Sequence, residues 1–127
     1  MKKEIVTGNA PAAIGPYSQA IEAGSFVFIS GQMPIDPDSG EMAGPTVAEQ
    51  AHQVLKNVRA ILQQAGMLMD DVVKTTIYMK DLGGFGTVNE IYGEYFRDTV
   101  FPARACVEVA RLPKDALIEI EAIAVRH

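Results

Sequence analysis

The chain has 127 residues with 48% hydrophobic side chains, enough for one domain with a packed core. Its net charge of −5 and the lack of any Lys/Arg run of about five or more argue against a nucleic-acid surface, and no apolar stretch reaches the ~18 residues of a membrane-spanning helix. One cysteine excludes an internal disulfide, and with two histidines it leaves too few ligands for a zinc centre.

The N-terminal "MKKEIVTGNAP" lacks the apolar run of a signal peptide, so a single cytoplasmic domain over 1–127 is expected. "KKEIVTG" predicts a first strand, stopped by Gly8 and Asn9. Pro11, Gly15 and Pro16 make the next segment a loop, which leads into a strand near Ser18 to Glu22. "AGS" reads as a hairpin turn into the strand "FVFIS", and "GQMPIDPDSGEMAGP" reads as a surface loop.

Thr46 and Glu49 then form a T-x-x-E capping box, followed by an apolar stripe from Val47 to Ala65 at helical spacing and a stop at Gly66. "DVVKTTIYMK" is β-branched and predicts a strand. A second helix is expected between Gly84 and Arg97. The glycines of "DLGGFGTVNE" weaken its first turn, and Thr87 with Glu90 offers a later start. "ARACVEVA" and "ALIEIEAIAV" complete an α+β order in which two helices cover one face of a single sheet. The other face must meet solvent or a further subunit.

Alternation sorts the two C-terminal strands. Ile118, Ile120, Ala122 and Ala124 make a face suited to lie under helices, which turns Glu119, Glu121 and Ile123 away. In the preceding strand Ala103, Ala105, Val107 and Val109 form the apolar set. If the two strands pair directly, Arg104, Cys106 and Glu108 join Glu119 and Glu121 on the uncovered face. A face mixing such charges with Ile123 and Val125 suits either a solvated surface or a subunit interface with a polar site.

The segment "FPARACVEVARLPKDALIEIEAIAV" resembles the C-terminal signature of the RidA/YjgF family of imine deaminases. The resemblance extends through "APAAIGPYSQA", "FISGQMPID", "VVKTTIYMKDL" and "TVNEIYGEYF", nearly the whole chain. It implies a chorismate-mutase-like fold of about six strands with two helices on one face, assembled as a homotrimer with sites between subunits. It also implies hydrolysis of 2-imino or enamine acids, such as 2-iminobutanoate and 2-iminopropanoate, to 2-keto acids and ammonia, without a cofactor. The partners expected are small 2-imino and 2-keto carboxylates and further copies of the chain, with no nucleic acid or membrane.

Arg104 is the candidate clamp for the substrate carboxylate, since a planar guanidinium can bind it bidentately. Glu119 matches the family's residue for moving protons to and from water. Alternation alone leaves Glu121 equally placed. Cys106 matches the family's site cysteine, with roles in pocket shape, as a thiolate beside Arg104, or as a small filler. Tyr17 is a candidate cap from a neighbouring subunit, against a loop aromatic packed on the core. Ser30 and Gly31 end a strand where an open N–H could hold a substrate oxygen, against a plain turn. Asn89 lies off the second helix's stripe and is either a ligand contact or an exposed helix residue. Competing functions are an endoribonuclease that inhibits translation and a non-catalytic sensor of keto acids using the same Arg104 pocket.

Overall fold

The computed structural model describes residues 1–127. Six strands form one sheet: β1 (Lys2–Ile5), β2 (Ala20–Ala23), β3 (Phe26–Gln32), β4 (Val72–Met79), β5 (Ala103–Glu108) and β6 (Ile118–Val125). Their spatial order is β1-β2-β3-β6-β4-β5, and all neighbours are antiparallel except β4 and β5. Helices α1 (Val47–Gln64) and α2 (Phe85–Tyr95) pack on one face. This is the α+β architecture expected of the sequence.

Local chemistry explains the boundaries. Gly24 takes φ 61 in the two-residue turn between β2 and β3, a conformation that a Cβ disfavours. Thr46 accepts the Glu49 N–H at 3.2 Å while the Glu49 carboxylate reaches back to Thr46, so the capping box forms. At the other end of α1, Gly66 (φ 73) donates to Gln63 O and Met67 donates to Leu62 O, which closes a Schellman motif. The second helix lies where expected, between Gly84 and Arg97, but without the late start that Thr87 offered. It starts at Phe85 rather than at a Thr87 cap, because a 3-10 turn over Leu82–Gly84 leads into it and the Asp81 carboxylate accepts the Gly83 N–H.

Val54, Leu55, Val58, Ile61 and Leu62 of α1 are sealed against Val27 and Ile29 of β3 and Ile118, Ile120 and Ala124 of β6. Burial on this scale, at ~25 cal/mol per Å² of apolar surface, supplies the main drive for the fold. The opposite sheet face is bare. Phe26 and Phe28 stack there at 6.0 Å between ring centroids and remain nearly half exposed, beside Ile123.

The expected pairing of the last two strands is corrected. β4 lies between β5 and β6, antiparallel to β6 and parallel to β5, because α2 carries the chain back to the β4 edge. This reverses the assignment of β5. Arg104, Cys106 and Glu108 pair with Thr75, Ile77 and Met79, three buried residues of the helix-covered face. Ala103, Ala105 and Val107 point to the bare face instead. Alternation correctly grouped these residues but not their direction, since alanines on an edge strand carry little hydrophobic preference.

Candidate active site

The last strand places Glu119 as expected. Ile118 and Ile120 are fully buried, so Glu119 turns to the bare face, opposite Tyr78 of β4. The pairing of β3 with β6 shifts between Ile29 and Gln32, and Ser30 and Gly31 occupy that irregularity. Glycine at 31 lets the Glu119 carboxyl sit where it does, because a Cβ there would stand 2.8 Å from Glu119 Cδ and overlap the carboxyl oxygen. The carboxyl therefore lies against bare backbone at the wall of an 810 Å³ cavity. Tyr17, Ser30, Gly31 and Glu121 line it too, so Tyr17 shares a protomer with Glu119.

Burial of the half-buried Glu119, followed by the charge of Glu121, pushes its carboxyl above the usual carboxylate range. Desolvation, then the same Glu121 charge, raises Tyr78 as well. Glu121 is exposed and borders both this cavity and a second one of 510 Å³ on the bare face. Of the two N–H groups expected to be open, at Ser30 and Gly31, that of Ser30 is already engaged. That group donates to Gln19 O at 3.0 Å and the Ser30 hydroxyl donates to Ser18 O at 2.6 Å.

Arg104 occupies the other side of the sheet. Its Nη1 donates to Asn89 Oδ1 at 2.8 Å, and its guanidinium lies 4.9 Å from the Tyr92 ring centroid and 5.3 Å from that of Phe85. Tyr92 is itself held by Thr75, hydroxyl to hydroxyl at 2.7 Å. Asn89 and two aromatic faces of α2 thus orient a guanidinium whose remaining donors are open towards a 440 Å³ cleft edged by Phe101 and Pro102. Cys106 follows on the same face and packs against the core. Burial raises its thiol pKa, and the opposing Arg104 charge is the smaller effect, so a resting thiolate is disfavoured.

The grouping of Arg104 and Cys106 with Glu119 and Glu121 on one face is thereby corrected. The chain presents two candidate clusters on opposite faces: Glu119, Tyr17, Ser30 and Gly31 on one, Arg104, Asn89 and Cys106 on the other. Sequence reasoning missed the buried amides that fix the cavity wall. Gln19 Nε2 donates to Thr7, Ala10 and Pro11 carbonyls, and Asn57 Nδ2 donates to Met33 O and Ile35 O at 3.0 Å each. Asn57 beside Val58 on the α1 stripe was a readable signal for a buried polar staple; Gln19 had none. Lys114, in the turn before β6, also lines the cavity.

A family model described as endoribonuclease L-PSP matches residues 7–126. The chain is 57% identical to the 2-iminobutanoate/2-iminopropanoate deaminase of Salmonella typhimurium and 56% identical to the RutC family protein PH0854 of Pyrococcus horikoshii, in both cases over the full length of both chains. Among solved structures, the YjgF gene product of Escherichia coli superposes with a TM-score of 0.95 at 54% identity, covering 98% of this chain and 99% of that one. Escherichia coli TdcF with bound serine superposes equally well, at 0.95 and 49% identity with the same coverage.

Proposed function

The chain belongs to the RidA/YjgF family, whose model carries the description endoribonuclease L-PSP, and we propose that it hydrolyses 2-iminobutanoate, 2-iminopropanoate and their enamine tautomers to 2-keto acids and ammonia. The observation that carries this reading is the half-buried Glu119 carboxyl, its pKa raised by burial and by the Glu121 charge, laid against the bare backbone of Gly31 in an open cavity. A carboxyl raised in this way holds a proton more tightly than a free one, which suits it to accept a proton from water and return it.

The substrate carboxylate meets the planar Arg104 guanidinium, oriented by Asn89, which leaves the C=N carbon facing Glu119. Glu119 takes a proton from water as the water oxygen bonds to that carbon, and passes it to the imine nitrogen to give the carbinolamine. Glu119 then accepts the carbinolamine hydroxyl proton and returns it to the nitrogen as the C–N bond breaks, the C=O bond forms and ammonia leaves. The serine bound to TdcF is a small α-amino carboxylate of the size this mechanism needs.

Because Arg104 and Glu119 leave one protomer on opposite faces, the complete site is built between copies of the chain, and the homotrimer implied by the family resemblance supplies such an arrangement. The bare face with Phe26, Phe28 and Ile123 is the surface that association covers. The ribonuclease reading is disfavoured by electrostatics, since Glu119 and Glu121 in the cavity and a net charge of −5 repel a phosphodiester chain. A coupled assay tests the proposal: a threonine or serine dehydratase supplies imine, and the protein should accelerate keto-acid release. No acceleration sinks it. A keto-acid sensor would instead bind product without turnover.

A further inference from the structure

The turn joining β5 to β6 contains the two non-glycine residues with positive φ, Lys114 and Asp115, both at φ 56. A left-handed backbone is unfavourable for any residue with a Cβ and persists only where the surroundings impose it. Here they do. Asp115 N–H donates to Leu112 O, Ala116 N–H donates to Pro113 O, and Arg111 gives the Asp115 carboxylate two hydrogen bonds at 2.7 and 3.2 Å. Upstream, Lys80 Nζ holds Ala110 O at 2.8 Å.

The residue at the centre of this strained turn has a side chain with no protein partner. The ion pairs of the chain are Arg111–Asp115, Arg126–Glu22 and His127–Asp71, and Lys114 takes part in none. It lines the 810 Å³ cavity with Glu119 and Glu121, and it is the one Lys or Arg that does so. A 2-imino acid is an anion and would approach two carboxylates there. Arg104 cannot offset them from within the same protomer, because it projects from the other sheet face.

We propose that Lys114 is a substrate-binding residue: its ammonium, presented by the strained turn, draws the substrate carboxylate into the Glu119 cavity and shares it with the arginine of the adjoining half-site. This rests on the deaminase reading above.

The test compares wild type with K114A, K114R and K114G in the dehydratase-coupled assay, with 2-ketobutanoate binding measured by calorimetry. K114A should weaken 2-ketobutanoate binding and kcat/KM by about tenfold or more, the loss expected of one charge-assisted hydrogen bond. It should also flatten the dependence of kcat/KM on added salt, and K114R should restore most of the activity. K114G relieves the backbone, so its Tm should rise while kcat/KM falls as in K114A; a purely structural role would move only Tm. Wild-type ketobutanoate affinity and salt dependence in K114A overturn the role of Lys114 and leave the deaminase standing. A wild-type protein with no imine hydrolysis overturns the deaminase reading, and the substrate-binding role of Lys114 with it.

Discussion

Arg104 and Glu119 project from opposite faces of one sheet, with β4 lying between the strands that carry them. A ligand touching both must therefore bridge two copies of the chain. R104A and E119Q should each be inactive alone, yet unfolding and refolding them as an equal mixture should restore activity at about a quarter of the sites, those pairing an intact arginine with an intact glutamate. Rate measurements on the reassembled mixture check this. Complete inactivity of a properly reassembled mixture would mean that both groups act from one chain.

E119Q separates catalysis from stability. Losing the proton carrier should lower kcat by ~10²–10⁴-fold. Burial and Glu121 raise the folded-state pKa of Glu119, so the folded state binds this proton more tightly than the unfolded state. Its contribution is then destabilising above the folded pKa and is relieved as pH falls towards the unfolded value. Denaturant titrations should find E119Q more stable than wild type at neutral pH, with the difference vanishing in acid. A difference that grew in acid would contradict the raised pKa.

Cys106 should prove dispensable for chemistry. Its thiol is raised by burial and packs against the core on the Arg104 face. C106S should keep kcat within about threefold and lose some stability from placing a hydroxyl in a partly apolar contact. Steady-state kinetics beside thermal melts decide the point, and a hundredfold fall in kcat with an unchanged melt would reinstate a thiolate.

Much of this was legible in local pattern. The Thr46–Glu49 box, the α1 stripe and Gly66 act within a turn or two of helix, and β6 alternates large apolar residues with glutamates, so both elements and the direction of Glu119 follow from short-range chemistry. β5 was not legible in the same way. It lies at the sheet edge, its alternate alanines fit either face, and its neighbour is chosen by the path of α2 rather than by its own residues. Distant polar staples are hidden for a related reason: Gln50 accepts the Leu117 N–H across 67 positions, a partnership no local window contains. The strain at Lys114 is hidden too, because lysine carries no sequence mark of left-handed backbone.

Gly31 provides the sharpest geometric test of Glu119. No positive φ demands glycine at this position, so alanine is compatible with the backbone; what its methyl group would displace is the Glu119 carboxyl that occupies the Cβ volume. In G31A the carboxyl must swing away, and its Cδ can no longer sit where a Cβ would be only 2.8 Å off. A displacement of about an ångström in a catalytic group can cost ~100-fold in rate. Arg104 and Asn89 lie on the opposite face and stay untouched, so product binding should weaken far less than kcat falls. Calorimetry with 2-ketobutanoate beside turnover measurements reads both quantities. Equal losses in the two would mean that Gly31 shapes binding as a whole, and unchanged turnover would remove Glu119 from its place in the chemistry.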